Sequence, residues 1–107
     1  VIILNNHFLG MVRQWQELFQ DRRYSFVNIS SPDYTKVAEA YGISGHSVDK
    51  REYLGKAIRK MLETPGPYLL EVMVGKENNV FPMVPQGCGV AERISDMTTL
   101  LVTGFRS

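Results

Sequence analysis

A parallel α/β domain is the fold class that this sequence predicts, and three observations predict it. Two apolar runs, Val1 to Leu4 and Tyr68 to Val74, have the pattern of buried strands, the second that of a strand covered on both faces. Three stretches between them carry apolar residues at helical rather than strand spacing. The resulting order of strand, helix, helix, short strand, helix, strand suits a parallel sheet with right-handed crossover connections and flanking helices.

The first run stops at two adjacent amides, Asn5 and Asn6, and hands over to a helix with Met11, Val12, Trp15, Leu18 and Phe19 on one face. In α/β proteins ligands sit outside the carboxyl ends of strands, so this polar turn reads as a ligand-binding turn. The same residues also fit a plain helix cap, and the apolar stripe fits a buried core face as well as a pocket wall. Next, QDRRYSFVNISS reads as a loop in which Arg22 and Arg23 form a solvated basic pair. Ser31, Pro32 and Asp33 then open a helix, with serine as the cap and aspartate complementing the dipole. Its face is Tyr34, Val37, Ala38 and Tyr41, and Gly42 ends it.

Gly45 to Val48 reads as a short strand. Asp49 and Glu52 have capping-box spacing, followed by the stripe Leu54, Ala57, Ile58, Met61 and Leu62. Thr64 to Pro67 stop that helix, and Tyr68 to Val74 follows, interrupted only by Glu71. Beyond Gly75 the extended stretch KENNVFPMVPQGCG changes character, which divides the chain into a sheet-bearing part, 1–75, and an arm and tail, 76–107.

At 107 residues the chain is one domain at most. Twelve basic against eleven acidic side chains leave a net charge of +1, too little for a general field that would recruit nucleic acid or an anionic membrane. The lone Cys88 cannot form an internal disulfide, and between two glycines it reads as an inert loop cysteine. No run of eighteen apolar residues and no charged leader is visible. His46 has no partner at metal-ligand spacing and reads as a surface or satisfied core histidine. Because Val1 falls inside a strand with no initiator methionine, the chain reads as incomplete.

LNNHFLGMVRQWQELF resembles the second half of the thiamine diphosphate motif in the catalytic subunit of acetohydroxyacid synthases, also called acetolactate synthases. RRYS at 22–25, PDYTKVAEAYGI at 32–43, VDKREYL at 48–54, GPYLLEV at 66–72 and NVFPMVPQG at 79–87 agree with that family in order and spacing. The resemblance runs to about Ile94, and the last ten residues, TTLLVTGFRS, depart from it.

The resemblance implies a thiamine diphosphate-binding fold. It also implies decarboxylation of pyruvate with carboligation to a second 2-oxo acid, giving 2-acetolactate or 2-aceto-2-hydroxybutyrate for branched-chain amino acids. The cofactors implied are thiamine diphosphate and Mg²⁺, with FAD bound by the parent enzyme outside this chain. Asn6 would supply an amide oxygen and Phe8 a main-chain carbonyl to Mg²⁺, beside an upstream Gly-Asp-Gly aspartate absent from this sequence. An all-oxygen site leaves no metal role for His7. Gly10 and Met11 would adjoin the cofactor. Met11, Val12, Trp15 and Gln86 would line the channel for substrate and inhibitor, and Pro82 to Gly87 would form an arm over the entrance. No residue here is implied as catalytic, so the fragment alone is expected to be inactive. Partners implied are 2-oxo acids, a second copy of the parent and a small regulatory subunit, with a cytoplasmic or plastid location. Two alternatives stand beside this: another thiamine diphosphate-dependent decarboxylase or carboligase, and a non-catalytic free-standing interaction domain.

Overall fold

The computed structural model describes residues 1–97, so TTLLVTGFRS lies outside the described residues. The described residues form two compact units, one of Val1–Phe8 with Ile29–Lys76, the other of Leu9–Asn28 with 77–97.

The first unit is a three-stranded parallel sheet. Strand β1 (Ile2–Asn5) and strand β2 (Ser44–Val48) both pair with β3 (Tyr68–Met73), which is therefore central. Ile2 lies opposite Leu70 and Asn5 opposite Met73 on one side, while Ser44 lies opposite Tyr68 and Val48 opposite Val72 on the other. The apolar run at 68–74 is central because it tolerates burial on both faces, and Leu70 is fully enclosed. Helix α2 (Tyr34–Ala40) packs on β2 and β3, and helix α3 (Arg51–Glu63) packs on the same two strands. Val48, Ala57, Tyr68 and Leu70 form the core there, with Leu54, Met61 and Val72 packed against them.

Two helix starts differ from the sequence expectation. The cap of α2 is Asp33 rather than Ser31: its carboxylate accepts from the Thr35 and Lys36 backbone N–H groups, at 3.1 Å each. The Thr35 hydroxyl also donates to Asp33 Oδ1 at 2.6 Å, whereas Ser31 turns its hydroxyl towards Asn5 Oδ1, 3.4 Å away. The Asp33 carboxyl is held below its ordinary pKa, first by the Thr35 side chain and then by the Lys36 N–H. In α3 the box expected from Asp49 and Glu52 does not form, because the helix begins one residue later, after Lys50, and both carboxylates fall off the box positions. Glu52 still sits in the first turn, where its charge complements the dipole. Gly42 ends α2 region as expected, at φ +67.

The second unit is built on helix α1 (Gly10–Phe19), whose buried residues are Arg13, Gln14 and Leu18. Burial therefore lies towards the polar side of the helix and shares only Leu18 with a fully buried apolar stripe. Segment 77–83 supplies the reason. Gln14 donates from Nε2 to the Val80 carbonyl at 2.9 Å and accepts at Oε1 from the Val80 N–H at 2.8 Å. Arg13 donates from Nη2 to both carboxylate oxygens of Glu77, at 3.1 and 3.0 Å, and its guanidinium lies 4.5 Å from the Tyr24 ring centroid. Asn79 donates to Glu17 Oε2 at 3.0 Å. Leu18 and Ile94 form the apolar centre, with Phe19, Phe81, Met83 and Met97 around them, and Met83 exchanges both backbone hydrogen bonds with Ile94. A short 3-10 turn follows at Val90–Glu92.

Candidate functional site

In the sheet unit, the chain leaves β1 through two interlocked turns. Asn5 is buried, and its Oδ1 accepts the His7 N–H at 2.9 Å. Asn6 is half-buried, and its Oδ1 accepts the Phe8 N–H at 2.9 Å. Each asparagine thus folds its side chain onto the backbone two residues on, which is what makes this residue type a turn former. His7, between Asn6 and Phe8, takes the left-handed region at φ 59 and is exposed. The His7 carbonyl accepts the Ile29 N–H at 2.9 Å, tying the turn to the strand of chain that returns beside it.

Two further groups hold this turn. Asn5 Nδ2 donates to Glu71 Oε1 at 2.7 Å, so the amide at the end of β1 is fastened to the central strand. The Lys76 ammonium lies 5.5 Å from the Phe8 ring centroid, within cation–π reach. Asn6 and Phe8, the two implied ligand residues, therefore share one turn at the carboxyl end of a parallel strand.

In the second unit, α1 begins at Gly10 with no side-chain cap and no acidic residue in its first turn, an arrangement compatible with an anion. Met11, Val12 and Trp15 are 50, 47 and 41% exposed, forming an apolar face open to the outside. The Trp15 and Phe19 rings lie 4.9 Å apart between centroids, at 37°. Met11, Val12 and Trp15 are thus brought onto one surface, and they are not core. Gln86 is exposed next to buried Pro85, and Gly87 follows at φ 84.

His46 is exposed on β2, and Cys88 is a free, half-buried thiol in the loop before the 3-10 turn. Arg22 and Arg23 are exposed, Arg22 at 3.8 Å from Glu17 and Arg23 at 3.6 Å from Asp21. Sequence reasoning passed over Glu71 and Gln14. The signal at Glu71 was a lone carboxylate inside an otherwise apolar strand, which has to find a partner when buried.

Residues 1–72 match the family model of the thiamine pyrophosphate enzyme C-terminal TPP-binding domain. The chain belongs to that family. This TPP-binding domain chain is 46% identical over 87 residues to the mitochondrial acetolactate synthase of Schizosaccharomyces pombe, which covers 81% of this chain and 13% of that protein. It is 46% identical over 95 residues to the mitochondrial acetolactate synthase catalytic subunit of Saccharomyces cerevisiae, covering 89% of this chain and 14% of the relative. With the acetolactate synthase isozyme 2 large subunit of Escherichia coli it shares 38% identity over 99 residues, 92% of this chain and 18% of the relative. The chain thus spans under a fifth of the length of these curated relatives.

The oxygens of the Asn6–Phe8 turn are of the type that suits a hard cation. An amide oxygen has two acceptor lone pairs, and the Phe8 N–H occupies one of those on Asn6. Amide and carbonyl oxygens suit magnesium, which keeps phosphate and water among its ligands. Among the described residues no group of three histidine, cysteine, aspartate or glutamate side chains could hold a metal by itself. A cation here would need further oxygen ligands beyond this turn.

Proposed function

We propose that this chain is the C-terminal part of the diphosphate-binding domain of an acetolactate synthase. The reaction is decarboxylation of pyruvate with transfer of the two-carbon unit to pyruvate or 2-oxobutyrate. One observation carries this choice within the family. The likeness to acetolactate synthases covers up to 99 residues, whereas the general TPP-binding model stops at residue 72, so the likeness extends into the C-terminal stretch.

When bound, thiamine diphosphate supplies the carbanion and the electron sink for decarboxylation. Asn6, through Oδ1, and Phe8, through its carbonyl, would hold Mg²⁺ on the diphosphate, with Gly10 and Met11 adjoining the cofactor. Met11, Val12 and Trp15 offer an apolar surface of the kind that lines a substrate channel, and Gln86 would touch the same channel. The arm Pro82–Gly87 would exclude water, which protects a carbanion from protonation. FAD would bind the parent outside this chain. The parent would self-associate and take a small regulatory subunit.

The test is made on the full-length enzyme that contains this chain. Pyruvate should yield 2-acetolactate, and acetaldehyde without carboligation would favour another decarboxylase of the family. Asn6→Ala should weaken Mg²⁺-dependent retention of thiamine diphosphate more than it lowers thermal stability. Unchanged cofactor affinity in a titration would remove Asn6 from the metal site.

A further inference from the structure

Glu71 lies in the middle of the central strand and is 8% exposed, among apolar neighbours. A carboxylate removed from water is costly unless it is hydrogen-bonded, and here it meets the Asn5 amide at 2.7 Å, a short charge-assisted bond. An ionised carboxylate only accepts. Glu71 therefore decides which end of the Asn5 amide faces it: Nδ2 must turn to the carboxylate, which leaves Oδ1 for the His7 N–H at 2.9 Å and the Ser31 hydroxyl at 3.4 Å. The backbone of Asn5 is fixed independently, since its carbonyl accepts the Val74 N–H at 2.9 Å.

The residue held by Asn5 Oδ1 is the one that needs holding. A non-glycine residue in the left-handed region is strained, and His7 occupies that region at φ 59 between Asn6 and Phe8. We propose that Glu71 is a positioning residue for the metal–diphosphate turn: acting through Asn5, it fixes the His7 backbone and thereby the spacing of the Asn6 amide oxygen and the Phe8 carbonyl. This rests on the reading of Asn6 and Phe8 as ligands given above. Glu71 itself touches neither metal nor cofactor. Its contribution is to remove the alternative amide orientation of Asn5, in which the His7 N–H would lose its acceptor.

The experiment uses the full-length enzyme with thiamine diphosphate present and Mn²⁺ as the probe, free Mn²⁺ being read by electron paramagnetic resonance. Removing a group that orients a metal ligand typically weakens metal binding about 10–100-fold, and Glu71→Leu should fall in that range. Glu71→Gln, which can still accept from Asn5, should recover most of the affinity. Asn5→Leu/Glu71→Leu replaces both partners by apolar groups, a change that can be nearly neutral for folding, and should show the same loss; it carries the test if Glu71→Leu fails to fold. Adding Glu71→Leu to Asn6→Ala should cost less affinity than Glu71→Leu costs by itself, because only the Phe8 carbonyl is then left to misplace. Weakened binding in Asn6→Ala together with native Mn²⁺ affinity in Glu71→Leu or the double leucine variant would overturn the relay alone. Native affinity in Asn6→Ala would overturn the metal reading of the turn, and the relay with it.

Discussion

Replacing Gln14 by leucine separates a helix held by packing from one held by its polar side. Gln14 is 2% exposed, and its amide makes a two-way exchange with Val80, at 2.9 and 2.8 Å. Leucine keeps much of the volume and removes both bonds without leaving an orphaned group on the helix. Each neutral hydrogen bond contributes about 1 kcal/mol net, so the pair contributes about 2 kcal/mol, reduced to the extent that water reaches Val80, an exposed residue. At 1.4 kcal/mol per factor of ten, amide exchange at Val80 should quicken by up to about 30-fold. Gln14→Glu gives the contrast: its carboxylate still accepts from the Val80 N–H but faces the Val80 carbonyl with no donor, so the domain should lose stability while the Val80 amide stays protected. Hydrogen exchange followed by NMR or mass spectrometry reads both variants. Unchanged exchange at Val80 in folded Gln14→Leu would show that the amide clamp does not hold the segment from Glu77 to Met83, and the account of why α1 buries its polar side would fail.

Three further outcomes are expected. In the full-length enzyme, Trp15→Leu should lower the share of 2-aceto-2-hydroxybutyrate when pyruvate and 2-oxobutyrate compete, since apolar contact with one methylene is worth about 1–3 kcal/mol; equal product ratios would take Trp15 out of the acceptor pocket. A Cβ at Gly45 would lie 3.0 Å from Ala38 Cβ, so Gly45→Ala should destabilise the sheet unit by about 1–3 kcal/mol in chemical denaturation, with Ala38→Gly as the compensating change. The Asp33 carboxyl is held below its ordinary pKa, so its cap contribution is fully present above the ordinary carboxylate range and is lost as pH falls through the lowered value. Amide exchange at Thr35 and Lys36 should therefore accelerate in acid, and Asp33→Asn, which keeps an acceptor, should abolish that dependence; an identical acid response in the asparagine variant would refute it.

The elements that the sequence made legible are those whose signals are local. The nearly continuous apolar run at 68–74 reads directly as the enclosed strand, Leu54, Ala57 and Met61 as a packed helix face, and Gly42 as a stop, whereas Ile58 and Leu62 of the same predicted stripe are exposed. Asp33 prevailed over Ser31 because a carboxylate two and three residues before free N–H groups accepts both, a choice that turns on a shift of register rather than on residue type. The orientation of α1 was hidden for a different reason. Its polar side is covered by Glu77, Asn79 and Val80, more than sixty positions away, and helical periodicity carries no information about such partners. Glu71 and Asn5 are hidden in the same way, each reading as an imperfection in an apolar run until the two are seen to satisfy one another. Asn6, Phe8, Gly10, Met11, Val12, Trp15 and Gln86 came from motif resemblance, because nothing in spacing distinguishes a ligand turn from a cap.

The strand order β1-β3-β2 also governs how the sheet can come into being. Among the described strands, β2–β3 joins consecutive strands across α3 whereas β1–β3 skips over β2, and both pairings require β3. Among the described strands Ile2–Asn5 pairs only with Tyr68–Met73, so that pairing closes a far longer loop than the β2–β3 pairing does. Truncation within β3 should therefore abolish both described pairings at once, whereas loss of β1 would leave the β2–β3 pair able to form.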